Sequence, residues 1–339
     1  MGADLKVIGN ADQDAQVECQ IRDLTVIFTT DSGDYPALNH VNLDIIKNKI
    51  TAIVGESGSG KSTLGLAILN GVAFPGKVTE GSVEFAEHGN VLKLRGKALR
   101  HFRGPVVGTV FQASQNAMNP LARVGKQILD LGRSHHYKDP RKLLHEAENL
   151  ARRMAMDPSR VLTAYPHQLS GGMRQRMGII MALVLKPKVL LLDEPTTALD
   201  LLTQSAVLEI IRSIHRERHL TTILITHDMG VVAEVSDYIV VMYAGRVVEQ
   251  GSTHDTLRDP RHPYTRAILR AIPRLTGDLN RARPLEGSPP DLTQIPATGC
   301  VFRSRCSYRA PQCDLVAPLL ESVDTGHFVA CHQEGLIRD

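Results

Sequence analysis

The residues Gly55-Glu56-Ser57-Gly58-Ser59-Gly60-Lys61-Ser62-Thr63 carry the plainest chemical signal in the chain. They fit the pattern G-x-x-x-x-G-K-[ST] and lie between the apolar runs 50–54 and 64–69, so the expected order is strand, glycine turn, helix. Gly58 and Gly60 let the backbone curl with its N–H groups inward and no Cβ in the way. The helix that follows adds its positive end to the same spot. Lys61 supplies a mobile point charge for β- and γ-phosphates, and the Ser62 hydroxyl is placed to ligate Mg²⁺. The stretch predicts a phosphate cradle.

Other residues gain meaning beside that cradle. Residues 189–195 form an apolar run ending in Asp193-Glu194, at the strand end where open α/β sheets hold ligands. Asp193 is the natural Mg²⁺ partner and Glu194 the group that would face an attacking water. His227 follows the apolar run 222–226, so Lys61, Glu194 and His227 are expected on one sheet edge, His227 as a γ-phosphate sensor. Gln112 follows a strand over 105–111 and offers an amide to Mg²⁺ or its water. Ser170-Gly171-Gly172 would open a helix over 177–185, a second place built to receive an anion. Such a start is by itself only a cap. Phe28, on the first strand, is either a base-stacking aromatic or a core residue.

The elements that must position these groups follow from periodicity. Residues 17–28 and 38–46 alternate and are β-branched, predicting antiparallel strands ahead of the glycine loop. Residues 81–85 and 105–111 are further strands. Residues 124–155 predict one helix with a single apolar face, stopped by Asp157-Pro158. A helix runs from Asp200 to about residue 217, and 238–242 with 246–249 predict a terminal hairpin.

With 339 residues and 42% hydrophobic content, the chain can bury a large core and more than one domain. A net charge of +3 is too small to argue for nucleic acid. No apolar run reaches the roughly 18 residues needed to cross a bilayer. The first residues lack a signal-peptide core, and Lys6 stands where a myristoylation motif wants Ser or Thr, so a cytoplasmic chain is expected. Residues 258–309 hold ten arginines against four acids and include Ser288-Pro289-Pro290, which reads as an irregular domain packing on its partner cassette or, as the second reading, a basic surface for lipid headgroups or RNA. Cys19 stands alone, whereas Cys300, Cys306, Cys313 and Cys331 crowd the C-terminal end. Their spacing leaves an iron–sulfur cluster, zinc and free thiols all open.

In this order the motifs over residues 17–270 resemble the ATP-binding cassette (ABC) ATPases. The resemblance implies an α/β P-loop NTPase (RecA-like) core with an antiparallel β subdomain and a helical subdomain at about 121–180, together spanning 1–258. It implies ATP and Mg²⁺ as ligands, a Q-loop at Gln112, and a signature motif at Leu169 to Met173, with Met173 replacing the commoner Gln. It further implies a magnesium carboxylate at Asp193, a catalytic Glu194, a D-loop at Ala198-Leu199-Asp200, a switch histidine at His227, and an adenine-stacking Phe28. Two such cassettes would pair head to tail, each nucleotide lying between one phosphate loop and the other's signature helix. A loop on one side cannot surround the charge of a phosphoryl-transfer transition state.

His262-Pro263-Tyr264-Thr265-Arg266 and the cysteines behind it resemble the C-terminal extension of the oligopeptide/dipeptide permease ATPases, here 259–339. That resemblance implies a [4Fe–4S] cluster on Cys300, Cys306, Cys313 and Cys331. It also implies a peripheral subunit on the cytoplasmic face of the cell membrane. Its partners would be a second, related ATPase (a heterodimer), two membrane permeases contacted near 116–121, and an extracytoplasmic solute-binding protein, with no nucleic acid. Related importers move peptides, nickel complexes or oligosaccharides, and a soluble ABC ATPase acting on ribosomes or DNA is the rival from another class.

Overall fold

The computed structural model describes residues 16–112, 117–197, 199–271 and 285–334. The chain gathers into two units, Met1–Leu92 with Ile225–Asp339, and Lys93–Leu224.

The first unit opens with β1 (Val17–Thr30), β2 (Gly33–Ile46), β3 (Ile50–Val54), α1 (Lys61–Ile68), β4 (Gly76–Phe85) and β5 (Gly89–Asn90). The β-branched alternation expected for 17–28 and 38–46 produces an antiparallel sheet in the order β2-β1-β4-β5. Its inner face buries Ile21, Leu24, Val26, Leu38, Leu43 and Ile45. β4 begins earlier than the pattern over 81–85 announces, because the exposed half of the strand carries no apolar alternation.

The second unit contains α2 (Gly96–Phe102), β6 (Val107–Val110), α3 (Val124–Ser134), α4 (Pro140–Arg153), α5 (Pro158–Thr163), α6 (Gly171–Leu183), β7 (Val189–Asp193), α7 (Leu201–Arg218) and β8 (Thr221–Ile225). Its strands lie in the order β8-β7-β6, with β7 parallel to β6 and buried along its whole length, as its unbroken apolar run requires. The single helix expected over 124–155 is in fact two. Pro140 has no N–H to continue a ladder, and the Asp139 carboxylate accepts from Arg141 N at 3.1 Å, so a new helix starts there. Asp157 likewise caps α5 rather than only stopping what precedes it. Gly108 admits α6 against β6, since a Cβ there would sit 2.2 Å from the Ala182 carbonyl oxygen.

The chain then returns to the first unit through α8 (Met229–Val235), β9 (Tyr238–Tyr243), β10 (Arg246–Ser252), α9 (Thr253–Arg258), α10 (Pro263–Ala271), α11 (Gln312–Leu315), β11 (Glu321–Asp324) and β12 (His327–Val329). These strands lie in the order β11-β12-β10-β9-β3, with β9 parallel to β3 and the rest antiparallel, so the expected 238–249 hairpin forms. Two features bind the C-terminal segment to this sheet. Tyr243, Tyr264 and Phe302 form an aromatic triangle with ring centroids 4.6 to 5.4 Å apart. The fully buried Glu249 carboxylate accepts from Arg261 N at 2.7 Å and His262 N at 3.0 Å, with His327 Nε2 2.7 Å away.

Candidate functional site

In the first unit, the glycine loop joins β3 to α1 as expected. Gly55 lies against β9: a Cβ there would meet the Met242 carbonyl oxygen at 2.2 Å, so only glycine lets the loop leave the sheet. Gly60 caps α1 with φ +97°, and a Cβ there would meet Ala37 O at 2.7 Å. Gly58, φ +79°, has open space where its Cβ would stand, so there the backbone conformation and not crowding favours glycine. Lys61 is buried and folds back, its Nζ donating to Gly55 O at 2.7 Å, Glu56 O at 2.8 Å and Ser59 Oγ at 3.3 Å. Ser59 is buried, Ser57 and Ser62 are exposed, and Thr63 lies on the first turn of α1.

His227 also belongs to this unit. It is exposed, one residue past Thr226, whose N–H donates to Ile53 O at 3.1 Å and so aligns the segment with β3. Asp228 then caps α8. Phe28 is half-buried near the tip of β1, opposite Tyr35 and Gly76, and a Cβ on Gly76 would touch its ring at 3.0 Å. The tip of its ring therefore lies close to Gly76.

In the second unit, Asp193 ends β7 and is buried, while Glu194 is partly exposed with φ +51°. A non-glycine residue held in the left-handed region costs about 1 kcal/mol or more, and such strain gathers at functional sites. The turn is secured by Thr197 Oγ1 donating to Glu194 O at 3.2 Å. Ser170 caps α6, its Oγ accepting from Met173 N at 3.3 Å, and no acidic residue stands in the first turn, so nothing there repels an anion. Gly171 and Gly172 form that turn, and a Cβ on Gly172 would press on Leu199 at 3.1 Å. Gln112 is exposed at the end of β6. Asp200 caps α7; bonds from the Thr203 N–H and hydroxyl hold its carboxyl below the usual range. Ala198 and Asn116 lie outside the described residues.

Comparison with known proteins matches residues 38–197 to the family described as ABC transporter, and residues 248–313 to the family described as oligopeptide/dipeptide transporter, C-terminal region. The dipeptide transport ATP-binding protein DppD of Bacillus subtilis is 40% identical over 315 residues, 92% of this chain and 93% of that protein. The chain belongs to the ABC transporter ATPases. The oligopeptide transport ATP-binding protein OppD of Salmonella typhimurium is 37% identical, over 95% of each chain. A bacterial ABC transporter cassette solved as a dimer superposes with a TM-score of 0.62 and 28% identity, over 69% of this chain and 98% of that one. The same holds for a cassette bound to ADP and phosphate, at 27% identity and TM-score 0.62.

Mg²⁺ takes oxygen ligands; the Ser62 hydroxyl of the first unit, and the Asp193 carboxylate and Gln112 amide of the second, are each oxygen donors of that kind. The cysteines lie in the first unit, where Cys300 N donates to Cys313 O at 2.7 Å. Burial pushes the thiols of Cys300 and Cys306 up and that of Cys331 to about 12, and the neighbouring thiols add to it. No three of their sulfurs lie within 4.8 Å of one another. Tetrahedral zinc, with Zn–S bonds of about 2.3 Å, would draw four thiolates to roughly 3.8 Å.

Three positions escape sequence reasoning. Gln175, buried in α6, holds the turn after Glu194; Glu249 organises the C-terminal segment; and Arg305 grips Glu56. Each acts on a residue at least 12 positions away, so no local pattern announces it.

Proposed function

We propose that this chain is the ATP-hydrolysing subunit of an importer for dipeptides or oligopeptides. The observation that supports this most is the loop at Gly55–Lys61, where close packing and positive φ at Gly55 and Gly60 exclude other residues, in a chain that also carries the peptide-transporter C-terminal region.

In this reading the loop amides and Lys61 hold the phosphates of ATP, Phe28 packs against adenine, and Ser62, Asp193 and Gln112 hold Mg²⁺. The ion offsets charge on the phosphate oxygens. Glu194 orients and deprotonates the attacking water, and His227 senses the γ-phosphate. Ser170, Gly171 and Gly172 serve the nucleotide of a second, related cassette, with Asp200 on the adjoining loop; hydrolysis needs both surfaces. Residues 1–258 form the motor and 259–339 its extension. In this reading Cys300, Cys306, Cys313 and Cys331 bind a [4Fe–4S] cluster, resting on the resemblance of the segment behind the cassette to the peptide-transporter C-terminal region.

Among the described residues no helix is long and apolar enough to cross a membrane, so in this reading the pore comes from two permease subunits, with an extracytoplasmic binding protein supplying solute. Leu121, 88% exposed just before α3, supports docking of a permease at that surface and peripheral attachment to the cytoplasmic face. The test is peptide uptake by the reconstituted complex: Lys61→Ala should abolish both ATP binding and uptake, and uptake that persists without nucleotide binding would reject the reading.

A further inference from the structure

Every polar part of Glu56, the second residue of the phosphate loop, is engaged. Its carbonyl oxygen accepts from Lys61 Nζ at 2.8 Å and from Ser59 N at 3.2 Å. Its N–H donates to the Tyr264 hydroxyl at 2.9 Å. Its carboxylate takes a forked contact from Arg305, Nη1 to Oε2 at 2.6 Å and Nη2 to Oε1 at 3.1 Å. Tyr264 begins α10 and Arg305 precedes Cys306, so two of these grips come from the segment behind the cassette.

The grip is built, not incidental. Arg305 has a side chain only 5% exposed, and its other donors are also used: Nε to Glu286 O at 2.9 Å, Nη2 to Gly287 O at 3.1 Å and Nη1 to the Tyr243 hydroxyl at 3.4 Å. A guanidinium has five N–H donors in a rigid fork, and here they meet one carboxylate and three fixed oxygens. Burial alone would weaken its charge, yet the Glu56 carboxylate more than offsets that and holds it above the ordinary arginine range. Tyr264 is fully buried within the aromatic triangle, so its hydroxyl cannot wander.

The arrangement matters because Lys61 has two tasks. In this state it clamps the loop by its own carbonyls, but to neutralise β- and γ-phosphates it must let them go. The loop would then lose its inner brace at the moment it needs a fixed shape. Tyr264 and Arg305 hold Glu56 from the opposite side and have no such second task.

We propose that Arg305 and Tyr264 are positioning residues of the phosphate loop: the cysteine-bearing segment reaches back to Glu56 and keeps the loop open for nucleotide when Lys61 turns to the phosphates. This rests on the reading of residues 55–63 as the ATP cradle. Preorganisation of this kind acts on affinity, because an unbraced loop must be ordered at the cost of binding energy.

Tyr264→Phe keeps the ring in its triangle and removes only the acceptor for Glu56 N–H, and Glu56→Gln keeps shape while weakening the fork. In the purified full chain with Mg²⁺ and a fluorescent ATP analogue, each should raise Kd about ten-fold. Amide exchange over residues 55–63 should quicken, and in the assembled transporter the loss should fall more on KM than on kcat. Lys61→Ala is the control. If it loses affinity while both other variants bind and exchange like the parent, the clamp is refuted and the cradle stands; if it binds like the parent, the cradle reading itself fails.

Discussion

Gln175 Nε2, on the buried side of α6, donates to the carbonyl oxygen of Pro195 at 2.6 Å. The helix that opens with Ser170-Gly171-Gly172 is thereby tied to the turn that carries Glu194. Gln175→Leu would leave a buried carbonyl unsatisfied, which costs about 1–3 kcal/mol. Urea unfolding should show that loss, and turnover should fall with ATP affinity retained. A variant with parental stability and turnover would mean the bond is idle.

Glu194→Gln keeps the size and bonding of the turn but removes the base. A positioned general base contributes about 10²–10⁴-fold, so phosphate release should drop by at least about 10² while ATP still binds. Near-parental phosphate release from the reconstituted complex would reassign the base.

Gly55→Ala should be among the most damaging single changes in the loop. Its Cβ would enter the Met242 carbonyl at 2.2 Å, with φ at +153°, so β9 or the loop must move. Overpacking of this kind costs about 1–3 kcal/mol. Thermal melts should shift downward and nucleotide binding should be lost; an alanine variant that melts and binds like the parent would contradict the packing.

His262 predicts an acid-sensitive fold. Its Nδ1 accepts from Tyr264 N at 3.0 Å, and burial lowers its pKa from 6.5 to about 4, against the opposing pull of Glu249. The unfolded chain takes up the proton first, so this contribution is complete above about pH 6.5 and is lost as pH falls towards 4. Integrated over that window it is roughly 3 kcal/mol. Urea midpoints measured across the window should fall with pH, and His262→Asn should flatten the slope. An unchanged slope in the variant would remove His262 as its source.

For the cysteines, protein purified without oxygen should be brown and release acid-labile sulfide, and Cys313→Ser should lose both. Colourless parent protein with one zinc per chain would reverse the assignment.

The positions of the glycine loop, the carboxylate pair, the Ser170 helix start and His227 are legible in the sequence because each rests on a few adjacent residues at the end of one element. The strand positions follow the same apolar runs, whereas their order in each sheet is set by pairing between distant segments. The break between α3 and α4 was also written, in Asp139-Pro140, but the apolar face of 124–155 spoke more loudly than the cap. The grip on Glu56 was not legible at all. Arg305 stands 249 residues away in one of many basic positions, and only folding singles it out.

Glu249 carries a consequence for the cassette's history and for anyone shortening it. Its carboxylate sits with no access to solvent and is satisfied by residues beyond position 258. Cutting the chain there would remove both backbone donors of that carboxylate together with His327 and β12, the strand paired to β10 at Glu249, leaving β10 as an open sheet edge. The tail is thus not an appendage that can be trimmed to leave a minimal engine; a shorter relative would first have to replace this glutamate with something that needs no company.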